Sequence, residues 1–128
     1  MKAILDTHIF LWWNINDPQL YEALREIISD GRNQLFLSAA SAWEIAIKAG
    51  RGRLSLPEPP GKFVANRLTM HSFQPLAVQL SHTLHVYNLP DHHRDPFDRL
   101  LIAQGQLEDM LILTVDPIFA QYDVKTAS

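Results

Sequence analysis

No cysteine occurs among the 128 residues of this sequence. Disulfide staples, thiolate metal sites and cysteine nucleophiles are excluded together. A positive balance is lacking too: 11 Lys and Arg stand against 14 Asp and Glu, a formal net charge of −3. Attraction of nucleic acid or of a membrane surface by bulk positive charge is therefore not to be expected. No apolar run approaches the ~18 residues of a membrane span, and the stretch Ile9–Trp13 stops at Asn14. The N-terminus is charged again at Asp6, too early for the apolar core of a signal peptide. Internal repeats, low-complexity tracts and long linkers are missing as well. What is present is a chain 47% hydrophobic and 20% charged, enough to bury a continuous core. The expectation is a single soluble domain over residues 1–128, with no membrane segment and a cytoplasmic location.

The charge is unevenly distributed. Residues 48–67 carry Lys48, Arg51, Arg53, Lys62 and Arg67 against Glu58 alone, while both flanks are acidic. By itself such a basic belt is a solvated loop and helix face.

Three short apolar runs read as strands, each followed by a polar residue that opens a helix. Ala3-Ile4-Leu5 precedes Asp6 and Thr7, Leu35-Phe36-Leu37 precedes Ser38, and Leu111-Ile112-Leu113 precedes Thr114, Val115 and Asp116. Continuously apolar strands separated by helices suit a parallel sheet covered on both faces. Asp17-Pro18 predicts a helix start, with Leu20, Leu24, Ile27 and Ile28 at helical spacing. A second helix is expected from Ser38 through Ala49, ended by Gly50. After a Pro/Gly-rich break at 56–61 comes a third, carrying Phe63, Val64 and Leu68. Phe73-Gln74-Pro75 predicts a weak strand that Pro75 keeps short or at an edge. Helices are expected over about Ala77–Val86 and from Asp95-Pro96 to about Glu108. The alternation predicts an α/β three-layer sandwich, a short and mostly parallel sheet flanked by helices.

In an open parallel sheet, ligands bind outside the carboxyl ends of the strands. Asp6 and Asp116 fall just after the first and last of the three strands, Glu44 lies nearly two turns into the helix after the second, and Asp98 opens the helix before the last. Four carboxylates thus have a route to one crevice. Clustered anions raise one another's pKa and persist where a cation neutralises them. Oxygen ligation without cysteine suits Mg²⁺ or Mn²⁺, and phosphodiester hydrolysis is the matching chemistry. Structural explanations stand beside this one. Asp17, Asp95 and Asp116 all precede proline, a common helix start; Asp17 and Asp95 are assigned to capping. Asp98 at the third helical position favours the helix dipole, and Glu44 pairs with Ser41 as a capping box, although Ser38 is the better start. Asp6, directly after a buried strand, has no evident structural need.

Ile4-Leu5-Asp6-Thr7-His8, the helix Ser38–Lys48 with its Trp43-Glu44 pair, and His93-Arg94-Asp95-Pro96-Phe97-Asp98-Arg99-Leu100-Leu101-Ile102-Ala103-Gln104 resemble PIN-domain ribonucleases. The resemblance is closest to the VapC-type toxins of type II toxin–antitoxin systems, and Leu113–Pro117 with Phe119 and Tyr122 extends it to nearly the whole chain. It implies a Rossmann-like PIN fold and a divalent-metal-dependent endoribonuclease using Mg²⁺ or Mn²⁺. Carried over residue by residue, the catalytic and metal-binding acids are Asp6, Glu44, Asp98 and Asp116, supported by Thr114 and Thr7. It also implies an RNA substrate, a cognate antitoxin that silences the site, and a homodimer. The basic belt, above all Lys48, Arg51 and Arg53, then has a use as a cradle for RNA backbone. Gly105 stands where alanine is usual in the family, and Val115 where a polar residue is; neither departure removes a ligand.

The other polar and aromatic candidates carry less. His82 and His85 are three apart with no third zinc ligand in view. His93 is expected to hydrogen-bond or pack rather than ligate, and His8 lies two residues from Asp6. Trp12, Trp13 and Trp43 are expected to pack in the core or at a dimer contact rather than stack bases. Two other functions stay open: a catalytically silent PIN-like scaffold, and an aspartate-dependent phosphatase. Against the second, His8 stands where the second phosphatase aspartate belongs.

Overall fold

The computed structural model describes residues 1–127. Its sheet runs in the order β3-β2-β1-β4-β5, built from β1 (Lys2–Leu5), β2 (Gln34–Ser38), β3 (Gln74–Leu76), β4 (Leu111–Leu113) and β5 (Thr126–Ala127). Every pairing is parallel, with Ala3 beside Leu35 and Leu111, and Ile4 beside Phe36 and Ile112. Six helices flank it among the described residues: α1 (Thr7–Ile15), α2 (Glu22–Ser29), α3 (Ala39–Gly50), α4 (Pro60–His71), α5 (Leu80–His85) and α6 (Pro96–Glu108). None is long and apolar enough to cross a membrane.

Alternation along the strands divides the core in two. Ala3, Leu5, Leu35, Leu37 and Leu113 point to one face and pack with Ile9, Phe10, Leu24 and Phe63 from the helices. Ile4, Phe36 and Ile112 point to the other and pack with Leu101, Ile102, Ala103 and Phe119. Both faces being covered is why the strands read as continuous apolar runs rather than alternating ones. The expected three-layer α/β sandwich is thus the observed architecture.

Local departures have local causes. Asp17-Pro18 does not start α2; the Asp17 carboxylate accepts from Gln19 N at 2.8 Å and closes a turn, and the helix begins only at Glu22. A short Asx turn competes with capping for the same side chain. The helix expected over 77–86 is trimmed to α5, followed by a 3₁₀ turn at Val86–Asn88. β5, two residues long, carries too little pattern to be read from the sequence, and a 3₁₀ turn at Pro117–Gln121 follows β4. β3 is an edge strand, where Pro75 costs no ladder hydrogen bond. Ser38 caps α3, accepting from Ala40 N at 3.0 Å, so Ser41 is not a cap and its hydroxyl is free for other use.

Candidate active site

At the carboxyl end of the sheet, β1 delivers Asp6 into the start of α1. The position is that of an N-cap, yet the carboxylate caps nothing. It is 3% exposed; Oδ2 accepts from Thr114 Oγ1 at 2.8 Å, and Oδ1 is buried with no partner. Burial, more than any neighbour, holds this carboxyl above the usual carboxylate range, and the Glu44 charge adds to the effect. A buried oxygen without a hydrogen-bond donor is costly unless something else meets it.

Glu44 is also 3% exposed. Thr7 Oγ1 lies 2.9 Å from its Oε1 and 2.8 Å from Ser41 Oγ. The Thr7 hydroxyl has a single proton, so it donates to the carboxylate and accepts from Ser41. Lys48 Nζ donates to Glu44 Oε2 at 2.7 Å, one turn further along α3. That contact raises the Lys48 pKa, with smaller contributions from Asp95 and Asp98. Lys48 therefore neutralises the acidic site from inside, whereas Arg51 and Arg53 are exposed.

The roles of Asp95 and Asp98 separate cleanly. Asp95 caps α6, its Oδ1 accepting from Phe97 N at 2.8 Å and Asp98 N at 3.1 Å. Asp98 caps nothing, and burial followed by the charges of Asp6, Asp95, Glu44 and Asp116 pushes its pKa up to about 8. Asp116 does both jobs: Oδ1 accepts from Ile118 N at 2.9 Å, and Oδ2 faces inward. Thr114 Oγ1 accepts from Asp116 N at 3.0 Å, so a single threonine orients Asp6 and Asp116 together.

His93 lies between the last two acids. Its Nε2 is 3.0 Å from Asp98 Oδ2 and 3.1 Å from Asp116 Oδ2. Nδ1 accepts from Asp95 N at 3.3 Å, which leaves the proton on Nε2, directed at the carboxylates. Donor atoms of His93, Asp98 and Asp116 all lie within 4.8 Å of one another. The His93 backbone is pinned in turn: Tyr122 Oη accepts from His92 N at 3.1 Å and His93 N at 2.7 Å, while Arg99 donates to Val86 O and Pro90 O. Arg99 and Tyr122 fall within the family-like blocks of the sequence, but no periodicity there marks this task.

The residues present fit a divalent cation. The unpartnered Asp6 oxygen, the raised Asp98 and a carboxylate-rich set that the His93 nitrogen adjoins are what a cation such as Mg²⁺ or Mn²⁺ would relieve and bind. Asp6, Glu44, Asp98 and Asp116 come from four different elements, and mutual charge effects link all four.

The family model for the PIN domain matches residues 3–125. The chain belongs to the PIN domain family. Within it, the chain is 48% identical over 61 residues to Ribonuclease VapC16 of Mycobacterium tuberculosis. That match covers 48% of this chain and 43% of the relative, so it spans less than half of the curated protein's length. Among solved structures the PIN domain resembles a chain of VapBC2 from Rickettsia felis, bound to a DNA fragment from their promoter, with a TM-score of 0.73 at 15% identity, covering 99% of this chain and 98% of that one. A chain of DNA-bound VapBC from Salmonella typhimurium gives 0.71 at 16% identity, covering 99% and 97%. At such identities these structural likenesses speak for the PIN fold.

The remaining expected candidates are placed elsewhere. His82 is buried and ties α5 to α6, its Nε2 3.0 Å from Glu108 Oε2, and His85 Nε2 is 2.7 Å from Gln106 Oε1. His8 is exposed on α1 with its ring against Trp12. Trp12 and Trp13 are partly buried against the core as expected, but Trp43 is 62% exposed.

Proposed function

We propose that this PIN domain is a VapC-type toxin, a divalent-metal-dependent endoribonuclease that hydrolyses RNA phosphodiester bonds. The observation that carries this is the buried Asp6 carboxylate, uncapped and with Oδ1 unpartnered, whose charge helps hold the Asp98 pKa up to about 8. A structural acid would spend its oxygens on the backbone, as Asp95 does. Asp6, Asp98 and Asp116 would hold Mg²⁺ or Mn²⁺, with Glu44 completing the four-carboxylate site. When bound, the cation neutralises the acids and stabilises negative charge on the phosphate oxygens. Thr114 fixes the rotamer of Asp6 and the backbone of Asp116, Ile118 N holds the Asp116 carboxylate, and Thr7 with Lys48 fixes Glu44. In the reaction a water oxygen bonds to phosphorus, its proton passes to a carboxylate of the cluster, and the P–O bond to the leaving ribose oxygen breaks as that oxygen takes up a proton from solvent, to which the carboxylate returns its own. The exposed Arg51 and Arg53 would contact RNA backbone beyond the acidic crevice.

The partners follow the same resemblance. We place a cognate antitoxin over the site and a second copy of the chain in a homodimer, in the cytoplasm. The likeness to chains solved as VapBC complexes supports the antitoxin.

Incubation of the purified, antitoxin-free chain with RNA in Mg²⁺, Mn²⁺ or EDTA tests the proposal. Cleavage is expected with either metal, absent in EDTA, and lost in Asp6→Asn and Asp98→Asn. Activity that survives in both variants overturns the site.

A further inference from the structure

Of the large apolar side chains left exposed among the described residues, Trp43 is the one adjoining an acid of the site in sequence. It stands 62% exposed on α3 immediately before Glu44, which is 3% exposed. Consecutive helical residues project about 100° apart, so a side chain directed into the crevice at Glu44 puts Trp43 on its rim. The same step recurs on α6, where Phe97 immediately precedes Asp98. The two aromatic rings meet edge to face, with centroids 5.2 Å apart and planes at 74°. That contact braces the indole from one side and leaves the rest of it open to solvent.

We infer that Trp43, buttressed by Phe97, is a stacking platform for one unpaired nucleobase of a single-stranded RNA whose backbone crosses the acidic crevice. The inference rests on the ribonuclease proposal above. A base is the favoured occupant for three reasons. The platform is continuous with the carboxylates that would act on the phosphate. Every base has a flat face that an indole accepts. Exposed Arg51 and Arg53 follow on from the same helix, where they can meet the flanking phosphates. Stacking would place the nucleotide beside the site through its base, leaving the acids free of any need to attract the phosphate themselves. An antitoxin segment or a second copy of the chain packed on the same indole is the competing occupant, and the test separates it.

The probes are fluorescein-labelled single-stranded RNA oligonucleotides of mixed sequence, plus a series with one abasic position moved along the strand. Cleavage is measured with Mn²⁺, and binding in an Asp6→Asn background that keeps the RNA intact. Trp43→Leu keeps apolar bulk and removes the ring; Trp43→Phe restores a ring. Stacking is worth about a ten-fold change, so Trp43→Leu should raise KM about ten-fold with little change in kcat, while Trp43→Phe recovers most of the loss. Mn²⁺ affinity by calorimetry should be unchanged in both. One abasic position should mimic Trp43→Leu and cost nothing further when combined with it. An unchanged KM in Trp43→Leu overturns the inference, as does abasic scanning that is indifferent to the variant. A change confined to sedimentation mass or to antitoxin capture assigns the indole to a protein contact and overturns it equally. If the chain binds RNA in a Trp43-dependent way but never cleaves it, the platform stands and the ribonuclease proposal falls. If it neither binds nor cleaves, both fall.

Discussion

The Thr114 hydroxyl donates to Asp6 Oδ2 at 2.8 Å, joining the ends of β4 and β1 across 108 residues of sequence. Its oxygen also accepts from Asp116 N, so two acids of the site share one orienting group. Thr114→Val keeps the shape and removes the donor. Asp6 would then be buried with neither oxygen partnered, a loss of about 1–3 kcal/mol in stability. Mn²⁺ affinity should fall about ten-fold or more, since groups that orient a ligand carry that much. Urea denaturation and calorimetry check both, and Thr114→Ser should recover the affinity. A Val variant that binds Mn²⁺ normally would show that the hydroxyl has no orienting role.

Asp98 gives the metal-free protein a pH dependence of definite sign. Its ordinary value is 3.8, and in the fold it is pushed up to about 8, chiefly by burial. Between those values the folded chain holds a proton that the unfolded chain has released. Stability therefore falls as pH rises from the lower value through the upper one. Asp98→Asn imitates the protonated form and should flatten this slope, raising Tm at the alkaline end by a few degrees, on the order of 1 kcal/mol. Thermal scans in EDTA from acidic to mildly alkaline pH decide the matter; equal slopes in the two proteins would refute it. Mn²⁺ affinity should run the other way and rise with pH, because the cation displaces the proton.

Tyr122 acts on the site through the His92–His93 backbone. Tyr122→Phe removes the acceptor of both amides while leaving the buried ring in place. Faster hydrogen exchange is expected at His92 and His93, with a stability loss of about 1–2 kcal/mol. The imidazole nitrogen shifts of His93 should also move as the ring leaves its place between Asp98 and Asp116. Unaltered exchange at these amides would mean that Arg99 alone holds the loop.

At Gly105 the structure explains a departure from the family pattern. A Cβ there would lie 2.9 Å from Val124 Cγ2 and 3.0 Å from Ile112 Cδ1. Alanine would gain about 1 kcal/mol of helix propensity and lose about 1–3 kcal/mol to overpacking against a stiff valine. Gly105→Ala should therefore be destabilising by about 1 kcal/mol in urea denaturation; a stabilised variant would show that Val124 yields freely.

Arg51 and Arg53 differ from Lys48 in being unengaged with the acids. The double change to Ala should weaken RNA binding and lower the slope of log affinity against log salt by about 1.4, two phosphate contacts on a single strand. Mn²⁺ affinity should not change. An unaltered slope removes these two residues from the RNA path.

How far the site was legible follows from how each residue acts. Asp6, Asp98 and Asp116 sit at a strand end or a helix start and Glu44 lies in the helix after a strand, so chain position alone suggested a shared crevice. Capping was the competing explanation for the acids near proline. The structure resolves it atom by atom, with Asp95 as a cap, Asp98 uncapped, and Asp116 dividing its oxygens between both roles. Lys48 looked like part of an RNA-facing belt, because its charge is visible in sequence and its ion pair with Glu44 is not. Arg99 and Tyr122 act through backbone carbonyls and amides of a loop, and the His93 imidazole reaches Asp98 and Asp116 only once that loop is folded, none of which leaves a periodic trace. Trp43 was expected to pack in the core or at a dimer contact, and its 62% exposure excludes the core.

The sequence by itself determined the layers: apolar runs too short and continuous for anything but buried parallel strands, helices between them, and acids where strands end. The tertiary structure decided how the oxygens of these acids are engaged, leaving Asp6 Oδ1 unpartnered and both Glu44 oxygens held. That arrangement depends on donors from distant elements, Thr114 for Asp6 and Thr7 for Glu44. It depends as well on burial, which raises the cost of an unpaired charge, and burial is set by the packing of the whole fold rather than by any segment of it.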